Sequence, residues 1–170
     1  HRFHALRHPL SLPHPQAGTV SAVPVAQHDA LAARTATELV WTTGYKLLDR
    51  EDAQQWAEIG AAFETRANLG PHATASRLDR FASVLDRAGE YEQALKVRTE
   101  ALELARRAWG DGSPVLFPYL AHLGGTAARV PGEADKASEY NERALALAES
   151  VYGPDHPTVA LALTNRPVPL

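Results

Sequence analysis

Three features of this 170-residue sequence predict an all-α fold of antiparallel helix pairs stacked into an α-solenoid. One unit is written twice, each copy carries a helical apolar stripe, and glycine and proline stand where helices would stop and start. GEYEQALKVRTEALELARRAWGDGSP at 89–114 aligns with GEADKASEYNERALALAESVYGPDHP at 132–157 at a constant offset of 43 residues. Gly89 falls on Gly132, Ala94 on Ala137, Ala101–Leu102 on Ala144–Leu145, Leu104 on Leu147, Trp109–Gly110 on Tyr152–Gly153, and Pro114 on Pro157. Within the copies the apolar residues step by three and four, as Ala94, Val97, Ala101, Leu104, Ala108 and as Ala137, Tyr140, Ala144, Leu147, Val151. That spacing is one face of an amphipathic helix. Alanine at two stripe positions keeps the helix narrow, so a neighbouring helix approaches closely.

Taken in chain order, residues 1–27 carry Pro9, Pro13, Pro15 and Pro24 and predict an irregular segment, because interior proline interrupts a helix. His1, His4 and His8 include an i, i+4 pair, but no nearby carboxylate or cysteine completes a closed metal site, and a free histidine-rich end is expected. Residues 28–70 predict linker helices that cap the array. One runs from 28 through about Leu39 and breaks at Gly44; the other places Trp56, Ile59, Ala62 and Phe63 near helical spacing. The first full unit is 71–113. Its helix A has Leu78, Phe81, Ala82 and Leu85 on one face, Gly89 makes the tight turn, and helix B follows. In the second unit, 114–156, helix A contains Pro118, Gly124 and Gly125 and is expected to be irregular. A partial third unit spans 157–165, and Pro167 and Pro169 end it in the tail 166–170.

The linkers between units are punctuation. Gly110 and Gly153 follow the last stripe residues, where a helix commonly ends in a left-handed residue, and Pro114 and Pro157 suit the first turn of the next helix. Asp155 and His156 lie between stop and start, where Asp155 is placed to cap the next helix. The earlier copy has Gly112 and Ser113 in those slots, so an acid–histidine function repeated between the units is not expected.

Composition narrows the function classes. With 45% hydrophobic residues the chain can bury one ordinary core or two small ones. A net charge of −3, with acids and bases interspersed, offers no basic field for a phosphate backbone, and no nucleic-acid partner is expected. No apolar run reaches the ~20 residues of a membrane span, and the His- and Pro-broken N-terminal stretch makes a poor signal peptide. A cytoplasmic location without membrane attachment is therefore expected. Cysteine is absent, which removes disulfides and thiolate metal sites, and methionine is absent even at position 1, so the chain reads as a fragment, a processed product or an incomplete gene model. His72, Ser76 and Asp79 contain the letters of a nucleophilic triad without an elbow around the serine, Gly124–Gly125 are too few glycines for a phosphate loop, and no G-x-x-x-x-G-K-[ST] motif occurs. Trp41, Trp56 and Trp109 lack the interleaved Lys and Arg of a base-stacking surface. The chain is read as non-enzymatic and without cofactor.

The repeated unit resembles a tetratricopeptide repeat of the roughly 42-residue, kinesin-light-chain-like type, over about 71–165. The small-residue positions of that pattern fit Ala82, Ala94 and Ala101 in one unit and Gly124, Ala137 and Ala144 in the next; the GPDHP-T linker is Gly153–Thr158, followed by Leu163–Asn165. Arg98 and Asn141 depart from a bulky helix B position, leaving Val97 and Tyr140 to pack, and one extra residue sits around 129–131. The resemblance implies a right-handed solenoid whose A helices line a concave groove for a protein or peptide partner. Its groove positions fall on Asp79, Ser83, Asp86 and Arg87, then Ala121, Gly125, Ala128 and Arg129. Residues 14–35 are similar to the terminal hairpin and following helix of the winged-helix module that precedes such repeats in bacterial NB-ARC-type signal-transduction ATPases. That likeness implies an alternative role as the regulatory arm of an ATPase encoded upstream. The truncated third unit predicts an apolar patch at Tyr140, Leu147 and Val151 through which the chain self-associates.

Overall fold

A computed structural model describes residues 24–164; the segment 1–23 and residues 165–170, with His1, His4, His8 and the expected tail, lie outside the described residues. Seven α-helices follow one another: α1 Val25–Val40, α2 Arg50–Arg66, α3 Pro71–Ala88, α4 Tyr91–Trp109, α5 Leu116–Ala127, α6 Ala134–Tyr152 and α7 Pro157–Thr164, with a π-helical segment Trp41–Lys46 continuing α1. Short connections make consecutive helices antiparallel neighbours. α1 pairs with α2, α3 with α4 and α5 with α6, and each pair packs on the next through α2 against α3 and α4 against α5, with α7 closing onto α6. The described residues thus form a stack of helix pairs, as the repeat predicts.

The second helix of every pair buries the same four slots. They are Ala53, Ala57, Gly60 and Glu64 in α2, Ala94, Arg98, Ala101 and Ala105 in α4, and Ala137, Asn141, Ala144 and Ala148 in α6. The steps are four, three and four in each case, so α2 carries the frame of the two written repeats. This differs from the face expected for α2. Trp56 and Phe63 are half-buried and Ile59 is exposed, because the larger apolar residues line an outer groove with Leu31 and Leu39 of α1. Close approach between helices demands the small side chains; the bulky ones are displaced to the rim.

Gly44 does not break its helix. Its backbone is buried where α1, α2 and α3 converge, and a Cβ there would lie 2.5 Å from Val84 Cγ2 and 2.6 Å from Ala53 Cβ. Thr37, Thr42 and Thr43 each return a hydroxyl hydrogen bond to the carbonyl four residues back, at 2.8–3.0 Å, a contact that competes with the regular ladder and bends helices. The ladder widens to the π register here, with the Leu47 N–H bonding to Thr42 O at 3.1 Å. α5 is likewise regular, against expectation. Pro118 is its third residue, where an N–H would have no intrahelical partner, and Gly124 and Gly125 continue the helix.

The glycine stops hold. Gly89 is left-handed at φ 81°, ψ 9° and closes α3 through Glu90 N–H to Leu85 O at 2.9 Å, whereas Gly110 and Gly153 combine φ 81° with ψ near 160°, open to few residues but glycine. At the start of α7 the side chain that accepts a backbone N–H is His156, not Asp155: its Nδ1 lies 3.1 Å from Thr158 N, and its ring stacks on Tyr152 with centroids 4.6 Å apart.

The core has two centres. Val40, Ala53, Ala57 and Val84 form one, flanked by Trp56 and Phe81; Leu102, Leu116, Leu120 and Leu123 with Ala75, Ala101, Ala105 and Ala144 form the other. Tyr140 and Leu147 pack against the second centre, so the expected patch is not where the stripe alone puts it. α7 turns Val159 and Ala162 inward and leaves Leu161 and Leu163 exposed, as are Val151 and Tyr152 at the end of α6. No described helix is long and apolar enough to cross a membrane.

Candidate functional site

The second helix B slot, alanine in α2, is filled by a charge in α4 and by an amide in α6. Arg98, only 4% exposed, enters the slot occupied by Ala57 in α2 and by Asn141 in α6. A buried guanidinium is costly unless every donor is met. Asp79, Ser83 and Asp86, spaced four and three apart on α3, lie on the facing side and meet it: Arg98 Nη1 donates to Asp79, and Nη2 donates to Ser83 Oγ at 3.0 Å and Asp86 Oδ2 at 2.8 Å. Arg98 Nε donates to Thr126 Oγ1 of α5 at 2.9 Å, and the Thr126 hydroxyl donates on to Asp86 at 2.9 Å. His122 Nδ1, also from α5, approaches Asp79 Oδ2 to 3.1 Å. One network ties α3, α4 and α5. Val97 and Tyr140, expected to replace Arg98 and Asn141 in the packing, are only half-buried.

A second buried pair joins α2 to α3. Arg77 bonds Glu64 in bidentate fashion, Nε to Oε1 at 2.9 Å and Nη2 to Oε2 at 3.2 Å, and Thr74 Oγ1 adds a bond to Oε2 at 2.9 Å. Gly60 makes room for it, since a Cβ there would sit 2.9 Å from Arg77 Cδ.

Along the same α3 face run two pockets. The first, of ≈ 470 Å³, opens where His72 and Ser76 of α3 face Arg34 and Thr37 of α1, with Trp109 and Tyr119 as its aromatic wall. Trp109 meets His72 edge-on at 6.1 Å and Tyr119 at 6.4 Å. Burial pushes the Tyr119 hydroxyl up to about 12, with the Asp79 carboxylate adding to the rise and Arg80 opposing it, so at neutral pH it is a neutral hydroxyl in an aromatic wall. The second pocket, of ≈ 480 Å³, is lined by Ser83, Asp86 and Arg87 of α3, by Trp41 and Tyr45 of the π-helical segment, and by Tyr91, Arg98, His122 and Arg129. Trp41 and Tyr45 stack at 4.0 Å. Arg87 lies over the Tyr45 ring at 4.9 Å and Arg129 over Tyr91 at 5.6 Å.

Of the residues singled out from sequence, Asp79, Ser83 and Asp86 come together around Arg98, while Arg87 and Arg129 are exposed at the second pocket. Ala121 is half-buried against the core, and Gly125 and Ala128 are exposed outside both pockets. Sequence reasoning missed Arg34, Trp41 and Tyr45, whose place on this face depends on α1 behaving as the first helix of a pair; the signal was the Ala53–Ala57–Gly60–Glu64 frame. It also missed Tyr119 and His122, which stand on α5 two residues before and one residue after Ala121.

A tetratricopeptide-repeat family model matches residues 132–158, which is α6 with its preceding turn and the start of α7. That segment of the chain is similar to a tetratricopeptide repeat. No curated protein matches the chain.

Proposed function

We propose that this chain is a protein-interaction module that binds an extended peptide or a helix of a partner protein along the face formed by the A helices α1, α3 and α5. The observation that supports it is one stripe of α3, from His72 through Ser76 and Ser83 to Arg87, that borders two adjacent pockets of ≈ 470 and ≈ 480 Å³. At 1.5 Å per residue the stripe is about 22 Å long, the reach of roughly six to seven extended residues. The likeness of residues 132–158 to a tetratricopeptide repeat supports the same reading, since stacked helix pairs present continuous surfaces of this kind. Asp79 and Asp86 are committed to Arg98, Glu38 to Arg80 and Glu64 to Arg77, which makes these acids supports for the surface. We also infer that copies of the chain associate through the α6–α7 end, where Leu161 and Leu163 are exposed.

Substituting Asp79 or Asp86 would confuse binding with folding, because either change leaves Arg98 short of a partner. Arg34→Gln with His72→Ala alters the first pocket and spares the network. A partner isolated by affinity purification should lose at least tenfold in affinity for this double variant, with helical circular dichroism unchanged, and should bind normally after Glu100→Gln with Glu103→Gln on α4. Equal losses from both pairs would place binding elsewhere.

A further inference from the structure

We propose that the pocket between Arg87 and Arg129 is an oxyanion site, taking a carboxylate or phosphate group carried by the chain that lies along the α1–α3–α5 face; it rests on that reading of the face. The neighbouring arginines are already matched: Arg80 pairs with Glu38 at 2.8 Å, and Arg98 with Asp79 and Asp86. Arg87 and Arg129 make no ion pair among the described residues, yet both line this pocket. Each is held over an aromatic ring, Tyr45 at 4.9 Å and Tyr91 at 5.6 Å. A ring face steadies a guanidinium without consuming its N–H donors, so the fork stays available to an oxygen pair.

Charge points the same way. Arg87, Arg98 and Arg129 contribute three positive charges and Asp79 and Asp86 two negative ones, which leaves one uncompensated positive charge with His122 neutral. A single oxyanion balances it. Arg87 sits at the end of α3 and Arg129 just beyond α5, 42 residues apart, so only the side-by-side packing of the two pairs assembles the site.

The test is an NMR titration of the whole chain with sodium phosphate and, separately, sodium acetate, following the arginine Nε–H signals. Arg87 and Arg129 should shift saturably and together, while exposed Arg107 should show only the gradual drift of a salt effect. Arg87→Gln should abolish saturation at Arg129 as well, since the two form one site. The anion that saturates at the lower concentration identifies the source as phosphate or carboxylate. Absence of a saturable shift with either salt, or independent responses of the two arginines, overturns the proposal. That outcome is separable from failure of the face itself, which the Arg34→Gln, His72→Ala comparison decides without touching either arginine.

Discussion

Gly124 and Gly125 are chain neighbours with opposite constraints. A Cβ on Gly124 would stand 2.2 Å from Asn141 Oδ1 and 2.7 Å from its Cγ, whereas one on Gly125 meets nothing within 4 Å. Gly124→Ala is therefore an overpacking change, expected to cost about 1–3 kcal/mol in urea unfolding. Gly125→Ala removes backbone entropy from an exposed helical site and should stabilise by about 0.5–1 kcal/mol. Similar effects from the two variants would contradict the close packing of α5 on α6. The repeat resemblance already separated the two, with Gly124 at a small-residue packing position and Gly125 in the groove; what it did not supply is Asn141 as the neighbour that sets the constraint on Gly124. Arg98 is the complementary case: it reads as a misfit for an apolar slot, and becomes intelligible only with Asp79, Ser83, Asp86 and Thr126 around it.

Among the elements, α2 shows how a repeat can persist in spacing after its residues have diverged. Its fourth frame slot holds Glu64 where α4 and α6 have Ala105 and Ala148, and the charge is admitted because Arg77 reaches it from α3. Removing one partner of a buried pair costs about 3–5 kcal/mol, while replacing both by apolar groups is often neutral or better. Glu64→Ala alone should lower stability by about that amount, and Glu64→Ala combined with Arg77→Leu should recover most of it. Additive losses in this double-mutant cycle would show that the pair does not join α2 to α3 as described. The same α1–α2 pair explains why the Gly44 break was not realised. Gly44 is a contact point because Val84 and Ala53 pack on it, whereas Gly89, Gly110 and Gly153 take positive φ and end their helices.

Over the whole molecule, α7 is the last described helix of the stack. α7 seals the inner side of α6 with Val159 and Ala162, but Leu161 and Leu163 remain 57% and 47% exposed, and no described helix follows to pair with α7. Terminal repeats need a polar outer face to stay soluble. Grafting a helix B with a charged outer face after Asn165 should raise the melting temperature and reduce the concentration dependence of the sedimentation coefficient. A chain that sediments as a monomer at every concentration, and melts unchanged with the graft, would rule out association through this end.

By itself the sequence determined the all-α architecture of paired helices and the glycines that end α3, α4 and α6, because each is a local matter of spacing and backbone permission along one segment. It also placed Asp79, Ser83 and Asp86 on one face of α3, since a spacing of four and three does so in any α-helix. Only the tertiary structure decided what that face is made of. Whether an acid is free or bound to Arg98, whether Gly44 breaks its helix or admits Val84 and Ala53, and which side of α2 turns inward depend on packing against other elements. The buried pairs exist where α3 meets α2 and α4, and the two pockets where helices of successive pairs come together, so those distances are set by packing between segments distant in sequence.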